Sequence, residues 1–509
     1  MSRTIKRLRS GTIGLLALAS SLFLVLGSAP AIGAAETVTQ ISSDPFHNPD
    51  SNHKTQVEPD TFAFGNTIVS AFESGRFFDG GASDIGFATS TNRGKTWFHG
   101  FLPASTVNAT PPGPFDRASD PSVAYDARHK VWLISWVGLF PGGNTFVVDV
   151  LVSRSTDGGL TWGPPVAVNA SGASNDKDWT VCDDTASSRF FGHCYTEFDN
   201  LTNLDRFQMS TSTNGGLAWG APKTTPDHAC VIGGQPVVQP TGTVIVPIDD
   251  CRQSVLLSVR STNGGATWTR PVLAAQMLND GHTGAIRAPT FPTAEIDHSG
   301  RVYVVWSDCR FEAGCIAGTN DLVLSTSRDG VHWTLPRRIP TAPVGTSADF
   351  LIPGLAVDRS TAGRSAHLAL AYYYFPNAIC MPRCQLDVGF LSSVNGGASW
   401  SAPEQLAGPM NIQWLPLTTQ GFMVGDYIST AIVPGSDHAT PVFMVASAPG
   451  PRPNCSNLTT GAPGQGCSQS AFTTPEALLA ITGGPHAATA PSSAPVTRHR
   501  ALSTPATAR

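Results

Sequence analysis

One pattern occurs six times and limits the fold more than any other feature of the sequence. It reads STNRGKTW from Ser90 to Trp97, STDGGLTW from Ser155 to Trp162, STNGGLAW from Ser212 to Trp219 and STNGGATW from Ser261 to Trp268. The last two copies are SRDGVHW from Ser327 to Trp333, one residue shorter, and SVNGGASW from Ser393 to Trp400. Successive tryptophans stand 65, 57, 49, 65 and 67 residues apart. Recurrence at such a period marks one supersecondary unit used repeatedly.

The residue types suit a tight turn followed by a buried anchor. Glycine supplies positive φ, and Asp or Asn has a side chain short enough to bond amides of the same turn. The tryptophan is expected to pack inward between neighbouring sheets. Before the Ser155 copy come ASDPSVAYD (Ala118 to Asp126), KVWLISWV (Lys130 to Val137) and FVVDVLVSRS (Phe146 to Ser155); APTFPTAEID, RVYVVWSD and DLVLSTS precede the Ser327 copy. These alternating, β-branched runs bounded by Asp, Gly and Pro read as strands. Each unit is then strand A, B, C, turn and strand D, and four-stranded units without intervening helices indicate an all-β propeller.

The repeats resemble the Asp boxes, or BNR repeats, of the sialidase superfamily over roughly Glu58 to Ala448. The resemblance implies a propeller of four-stranded blades and a glycoside hydrolase of exo-alpha-sialidase type acting on an extracellular, acidic glycan or glycoconjugate. A noncatalytic propeller that binds carbohydrate or protein is the alternative. Strand A candidates begin near Glu58, Asp120, Asp178, Gln235, Pro289, Ile352 and Gly425, which favours seven blades, with the six-bladed sialidase fold as the alternative. The early ETVTQI, Glu36 to Ile41, is a candidate to close the last blade.

Residues 1–35 read as a signal peptide: Arg3, Lys6, Arg7 and Arg9 precede an apolar run from Thr12 to Leu26 and small residues for cleavage. The propeller is expected over 36–482, and 483–509 as a disordered low-complexity tail. The ten cysteines fall into neighbouring pairs, 182 with 194, 230 with 251, 309 with 315, 380 with 384 and 455 with 467. Such spacing in a secreted chain favours local disulfides over zinc, because no C-x-x-C is present. A net charge of -5 gives no reason to expect a nucleic acid partner. No cofactor, metal or membrane span in the mature chain is expected, and a secreted monomer is.

In a propeller the turns between strands C and D lie on one face, and the B-to-C and D-to-A loops open on the other. Arg76, Arg117, Arg287 and Arg310 fall in those latter loops, where planar guanidinium forks could hold a carboxylate. Sialidases hold the sialic acid carboxylate with three arginines. On the same face, Glu58, Asp120 and Asp426 are candidate acids, with Glu73, Asp176, Asp178, Asp308 and Asp349 nearby in sequence position. The family's tyrosine nucleophile, activated by a Glu and assisted by an Asp acid/base, is matched by Tyr427 with Glu58 or Glu73. Each arginine could instead pair with a local acid and brace its loop. One element departs from the family pattern: Arg-Ile-Pro stands at Arg338 to Pro340, after the fifth copy, and not before the first.

Overall fold

A computed structural model of the chain describes residues 38–488, apart from 141–146, 280, 316–317, 382, 451–453, 457–462, 465 and 476–478. The secretion signal expected at 1–35 and residues 489–509 of the expected tail lie outside the described residues. The fold is an all-β propeller. Its strands follow one another in antiparallel runs, with the A strands innermost. The first run is Gln56–Phe64, Thr67–Arg76, Ala82–Ser90 and Phe98–Phe101; the second is Arg117–Asp126, Val131–Phe140, Val147–Ser155 and Val166–Asn169.

Counted by hydrogen bonding, five sheets reach four strands or more, and not the seven or six expected from the repeat spacing. Two features account for the difference. The first two runs are fused into one eight-stranded sheet by the single pair Ala82 with Ala118. The next run, Asn175–Cys182, Cys194–Asn200 and Arg206–Ser212, stops at three strands because only two isolated bridges, Met209 to Lys223 and Arg206 to Cys230, continue it.

The six repeated turns share one hydrogen-bond pattern. The serine Oγ accepts from a glycine amide, as at Gly94 to Ser90, Gly159 to Ser155 and Gly397 to Ser393, at 2.8 to 3.0 Å. It also donates to the Asp or Asn side chain two residues on, as Ser155 does to Asp157 at 2.7 Å. That side chain then accepts amides further along the turn: Leu160 and Thr161 at Asp157, Thr267 at Asn263, and Ser399 at Asn395. Gly159 sits at φ 82°, and a Cβ there would stand 2.7 Å from Val69 Cγ2 of the preceding run, so both backbone and space demand glycine.

The tryptophans stitch each run to the one before. Trp162 lies 5.8 Å from the Phe87 ring, and Trp268 lies 5.3 Å from Phe207. Fully buried Trp400 joins the cluster of Tyr303 and Leu324. Trp97 of the first copy packs with Ile68 against Ala431 and Val433 of the last sheet, which closes the ring.

That last sheet consists of Ser429–Ile432, Ala439–Ala446, Gln469–Thr473 and, from the other end of the chain, Thr39–Gln40. The N-terminal strand therefore does close it, through Thr39 opposite Thr473. Beyond residue 483, His486–Ala487 pairs with Ser399–Trp400. All five cysteine pairs form disulfides as expected. Among the described residues no helix is long and apolar enough to cross a membrane.

Asp157 and Asn263 make the same bonds in the same kind of turn, so Asp157→Asn should change stability by no more than about 0.5 kcal/mol, whereas Asp157→Ala should cost about 1 kcal/mol, the usual loss of a side chain capping backbone amides. Urea unfolding of the two variants checks this; equal destabilisation by both would rule the bonding pattern out as the cause.

Candidate functional site

The inner strands share a local distortion that creates the site. Pairing slips between Val57 and Asp60, between Ser119 and Ser122, between Asp176 and Trp179, and between Leu351 and Gly354. Inside these bulges Glu58, Asp120, Lys177 and Ile352 adopt left-handed backbone angles, with φ of 55°, 50°, 53° and 47°. Non-glycine residues hold such angles only where their surroundings fix them.

Three of those side chains meet. Lys177 Nζ stands 2.8 Å from Asp120 Oδ1, 2.7 Å from Asp426 Oδ2 and 3.5 Å from Glu58 Oε1. Arg287 grips the same Asp426, with Nε 2.6 Å from Oδ1 and Nη2 bonded to Oδ2. Glu58 Oε1 also accepts the Asp426 amide, while its Oε2 is buried without a partner. Alongside, Arg76 Nη1 donates to Glu73 Oε2 at 2.9 Å, and Ser119 Oγ donates to the other oxygen.

A cavity of about 640 Å³ opens over this cluster, large enough for a sugar residue or two. Arg76, Asp120, Asp176, Lys177 and Arg287 bring charge to it, and Val137, Leu139, Val147, Val148 and Leu201 form an aliphatic wall. Most of its remaining lining comes from loops between strands B and C or between runs, including Gly80, Ser174 and Gln420, with Ser119 and Asn175 from inner strands. The cavity thus lies on the face expected for a site, away from the repeated turns.

The sequence candidates separate into two groups. Glu58, Asp120, Asp426, Arg76 and Arg287 converge. Arg117 sits at the edge, bonded to Asp79 at 2.6 Å and to the Gly80 carbonyl, with its guanidinium 4.1 Å over the Phe77 ring. Arg310 is held by Asp308 through two 2.7 Å bonds and by the Gln276 carbonyl, and it does not line the cavity. A three-arginine cradle of Arg76, Arg287 and Arg310 is therefore not formed: all three are paired with acids, but Asp308 holds Arg310 outside the cavity that the other two line.

Tyr427 lines a smaller pocket of about 30 Å³ with Asp178, Gln235 and Phe291, bordered by Lys177 and Asp426 of the same cluster, with room for a water or two. Its hydroxyl donates to the Pro121 carbonyl at 3.1 Å, its ring meets Trp179 edge-on at 5.1 Å, and burial among acids pushes its pKa well above the ordinary value. The tethered hydroxyl and the raised pKa are opposite to what a phenolate nucleophile needs.

Lys177 is the member that residue-by-residue reading passed over. In NDKDW the acids on either side drew attention, yet Lys177 occupies the same bulge position as Glu58 and Asp120 and supplies the central cation. Superimposing the inner strands on Glu58-Pro59 and Asp120-Pro121 is the signal that finds it.

Five carboxyls, Glu58, Glu73, Asp120, Asp176 and Asp426, face three cations, Arg76, Lys177 and Arg287. The excess negative charge is met by protons. Burial, reinforced by Asp120, Glu73 and Asp426, overcomes the Lys177 charge and pushes Glu58 well above the carboxylate range. Burial and then the Asp120 charge raise Asp176 to about 7. Burial opposes ionisation of Asp120 too, but the Lys177 ammonium prevails and holds it at about 2. Burial is likewise outweighed at Asp426, where Arg287 and then Lys177 hold the carboxyl well below its usual range. A proton-bearing Asp176 beside an ionised Asp120 is the kind of split that assigns an acid and a base.

No protein-family model matches the chain, and no curated protein matches it. Among solved structures it is similar to a Hadza microbial sialidase, at 15% identity and a TM-score of 0.41, with 77% of this chain covered; the chain spans 64% of that protein's length. It is similar to the intramolecular trans-sialidase from Ruminococcus gnavus in complex with oseltamivir carboxylate, at 13% identity and a TM-score of 0.41, covering 86% of this chain and 97% of the other. It is also similar to an ulvan lyase of a polysaccharide lyase family, at 11% identity and a TM-score of 0.48, covering 86% and 96%. Similarity at this level carries no argument about activity.

Two outcomes test the electrostatics. Lys177→Met should cost about 3–5 kcal/mol, the usual penalty for leaving buried charges unpaired; a loss under about 1 kcal/mol would mean that Lys177 is not the cluster's counter-ion. Asp60, Asp84 and Asp176, raised by burial to about 7, about 8 and about 7, hold protons in the folded chain that the unfolded chain releases near pH 4. Their stabilisation is complete at low pH and is lost as pH rises through 7 to 8. The urea midpoint should fall between pH 5 and pH 9, and Asp84→Asn should flatten that fall; a midpoint that rises over this range would contradict the assignment.

Proposed function

We propose that the protein is a secreted, sialidase-like, carbohydrate-active propeller, with the repeated turns as Asp boxes, and that its cavity takes an anionic sugar at the end of an extracellular glycan. The observation that supports this most is the convergence of Arg76, Lys177 and Arg287 on one sugar-sized cavity that also holds a protonated carboxyl. Five disulfides fit the oxidising setting of an exported protein.

The reaction is hydrolysis of a glycosidic bond. The three cations draw the sugar's carboxylate or sulfate to the cavity floor, and Asp176 gives its proton to the leaving oxygen. Asp120, kept ionised by Lys177, stabilises the positive charge that develops at the anomeric carbon; a water from the open cavity then adds to that carbon and gives its proton to Asp176, which restores the acid. Glu58 and Asp426 hold Lys177 and Arg287 in place. In this scheme Tyr427 lies outside the cavity and is not the nucleophile, which separates the chain from the tyrosine mechanism that its resemblance implies. A noncatalytic, glycan-binding role is the second reading, and the tethered Tyr427 hydroxyl is what favours it.

Purified mature protein assayed on fluorogenic sialosides, uronides and neutral glycosides decides between the two. An enzyme releases fluorophore from an anionic glycoside, and Asp176→Asn lowers kcat by about 10²–10⁴ while KM stays within a few fold. Arg287→Ala should raise KM as well. Release from neutral glycosides alone, or release untouched by Asp176→Asn, would sink the hydrolase scheme; calorimetric binding of an acidic oligosaccharide without turnover would establish the binder.

A further inference from the structure

A second cluster of ligand-type side chains stands apart from the cavity, where the turn after the inner strand Asp349–Val357 meets the turn after Ser429–Ile432. The first turn carries Asp358 and His367 and the second carries Asp437. Hydrogen bonding ties this region to the face of the repeated turns, since the Gly396 amide donates to the Ala366 carbonyl at 2.9 Å. One ligand atom from each of Asp358, His367 and Asp437 lies within 4.8 Å of the others.

We propose that these three side chains form a binding site for a divalent first-row transition metal of zinc type. The imidazole is the informative member. His367 Nδ1 lies 2.9 Å from Asp437 Oδ1, yet it makes no hydrogen bond of acceptable geometry to that oxygen or to any other group among the described residues. A nitrogen and an oxygen at that separation, without a proton aimed between them, suit two ligands of one ion. Zinc holds nitrogen and oxygen at about 2.0–2.2 Å, which places tetrahedral ligand atoms about 3.4 Å apart. Asp437 is the most exposed of the three and has the freedom to close the remaining gap.

The surroundings orient the ligands in the way that metal sites require. Asp358 is fully buried, and its Oδ1 accepts the Ser360 amide at 2.8 Å and the Ser360 hydroxyl at 2.7 Å. Its Oδ2 accepts only the Gly435 amide at 3.1 Å and keeps a lone pair. The His367 backbone is fixed on both sides, by its amide to Thr361 Oγ1 and by its carbonyl to the Asp358 amide, each at 2.9 Å. Asp437 sits at φ 54°, and the Ile481 amide binds its carbonyl at 2.8 Å. With Asp437 exposed, a fourth position stays open to water. One imidazole and two carboxylates match borderline ions such as zinc better than calcium, which takes oxygen ligands alone. The ion would clamp the last sheet to its neighbour.

The test uses the full chain, stripped with a chelator and titrated with zinc chloride by calorimetry, with thermal unfolding followed in parallel. One ion per chain and an upward shift of the unfolding transition are expected. His367→Gln and Asp437→Asn, both at partly or largely exposed positions, should each weaken zinc binding at least tenfold. Asp329→Asn should not, although it breaks an exposed Asp–His pair of 2.7 Å that lacks a third ligand. Zinc binding that survives both site variants, that is lost equally in Asp329→Asn, or that is absent altogether overturns the proposal, as does calcium producing the same shift in the His367→Gln protein.

Discussion

One ammonium group gathers the centre of this ring. Lys177 is 57, 119 and 249 residues from Asp120, Glu58 and Asp426, so its three ion pairs join inner strands from the beginning, the middle and the end of the chain. Each partner projects from a bulge or a strand entry, and the left-handed backbone at Glu58, Asp120 and Lys177 turns these side chains toward one another. Burying so many charges is costly unless every one is paired or protonated. The cluster meets that condition with Arg287 and Arg76 as further cations and with protons on Glu58 and Asp176. The chemistry of the cavity therefore follows from how the centre is neutralised: the lysine keeps Asp120 ionised, and burial together with that ionised neighbour keeps Asp176 protonated.

The repeated turns were legible in the sequence because everything that makes them lies within eight residues. Serine, the Asp or Asn, the glycine and the tryptophan each answer a local need, and the resulting all-β propeller could be read directly. The count of sheets was not, since it depends on pairs such as Ala82 with Ala118 that no local pattern encodes. Gln469–Thr473 was missed for a related reason. It pairs with Ala439–Ala446 across a long excursion that carries the Cys455–Cys467 disulfide, so nothing near Ala446 announces it.

The site was half legible for the same physical reason. Loop position gathers Arg76, Arg117, Arg287 and Arg310 in the sequence reading, but position does not say which acid each guanidinium will choose, and only Arg76 and Arg287 line the cavity. Arg310 chose Asp308, two residues back at the end of the preceding strand, and Arg117 chose Asp79 from the neighbouring loop. Arg287 found Asp426, 139 residues away. Nothing local marks Lys177, because its partners Glu58, Asp120 and Asp426 come from other runs.

The last sheet, shared by Thr39–Gln40 and Gln469–Thr473, has a consequence for how the molecule comes into being. A chain that emerges N-terminus first presents its closing strand at the outset and must hold it unpaired until nearly all the remaining sequence has followed. Local sheets can form in order along the way, each with its own turn and tryptophan, but the circle is joined only when the two ends meet. Closure through that pairing therefore has to wait for the last sheet, and until then each partner strand leaves an unpaired edge.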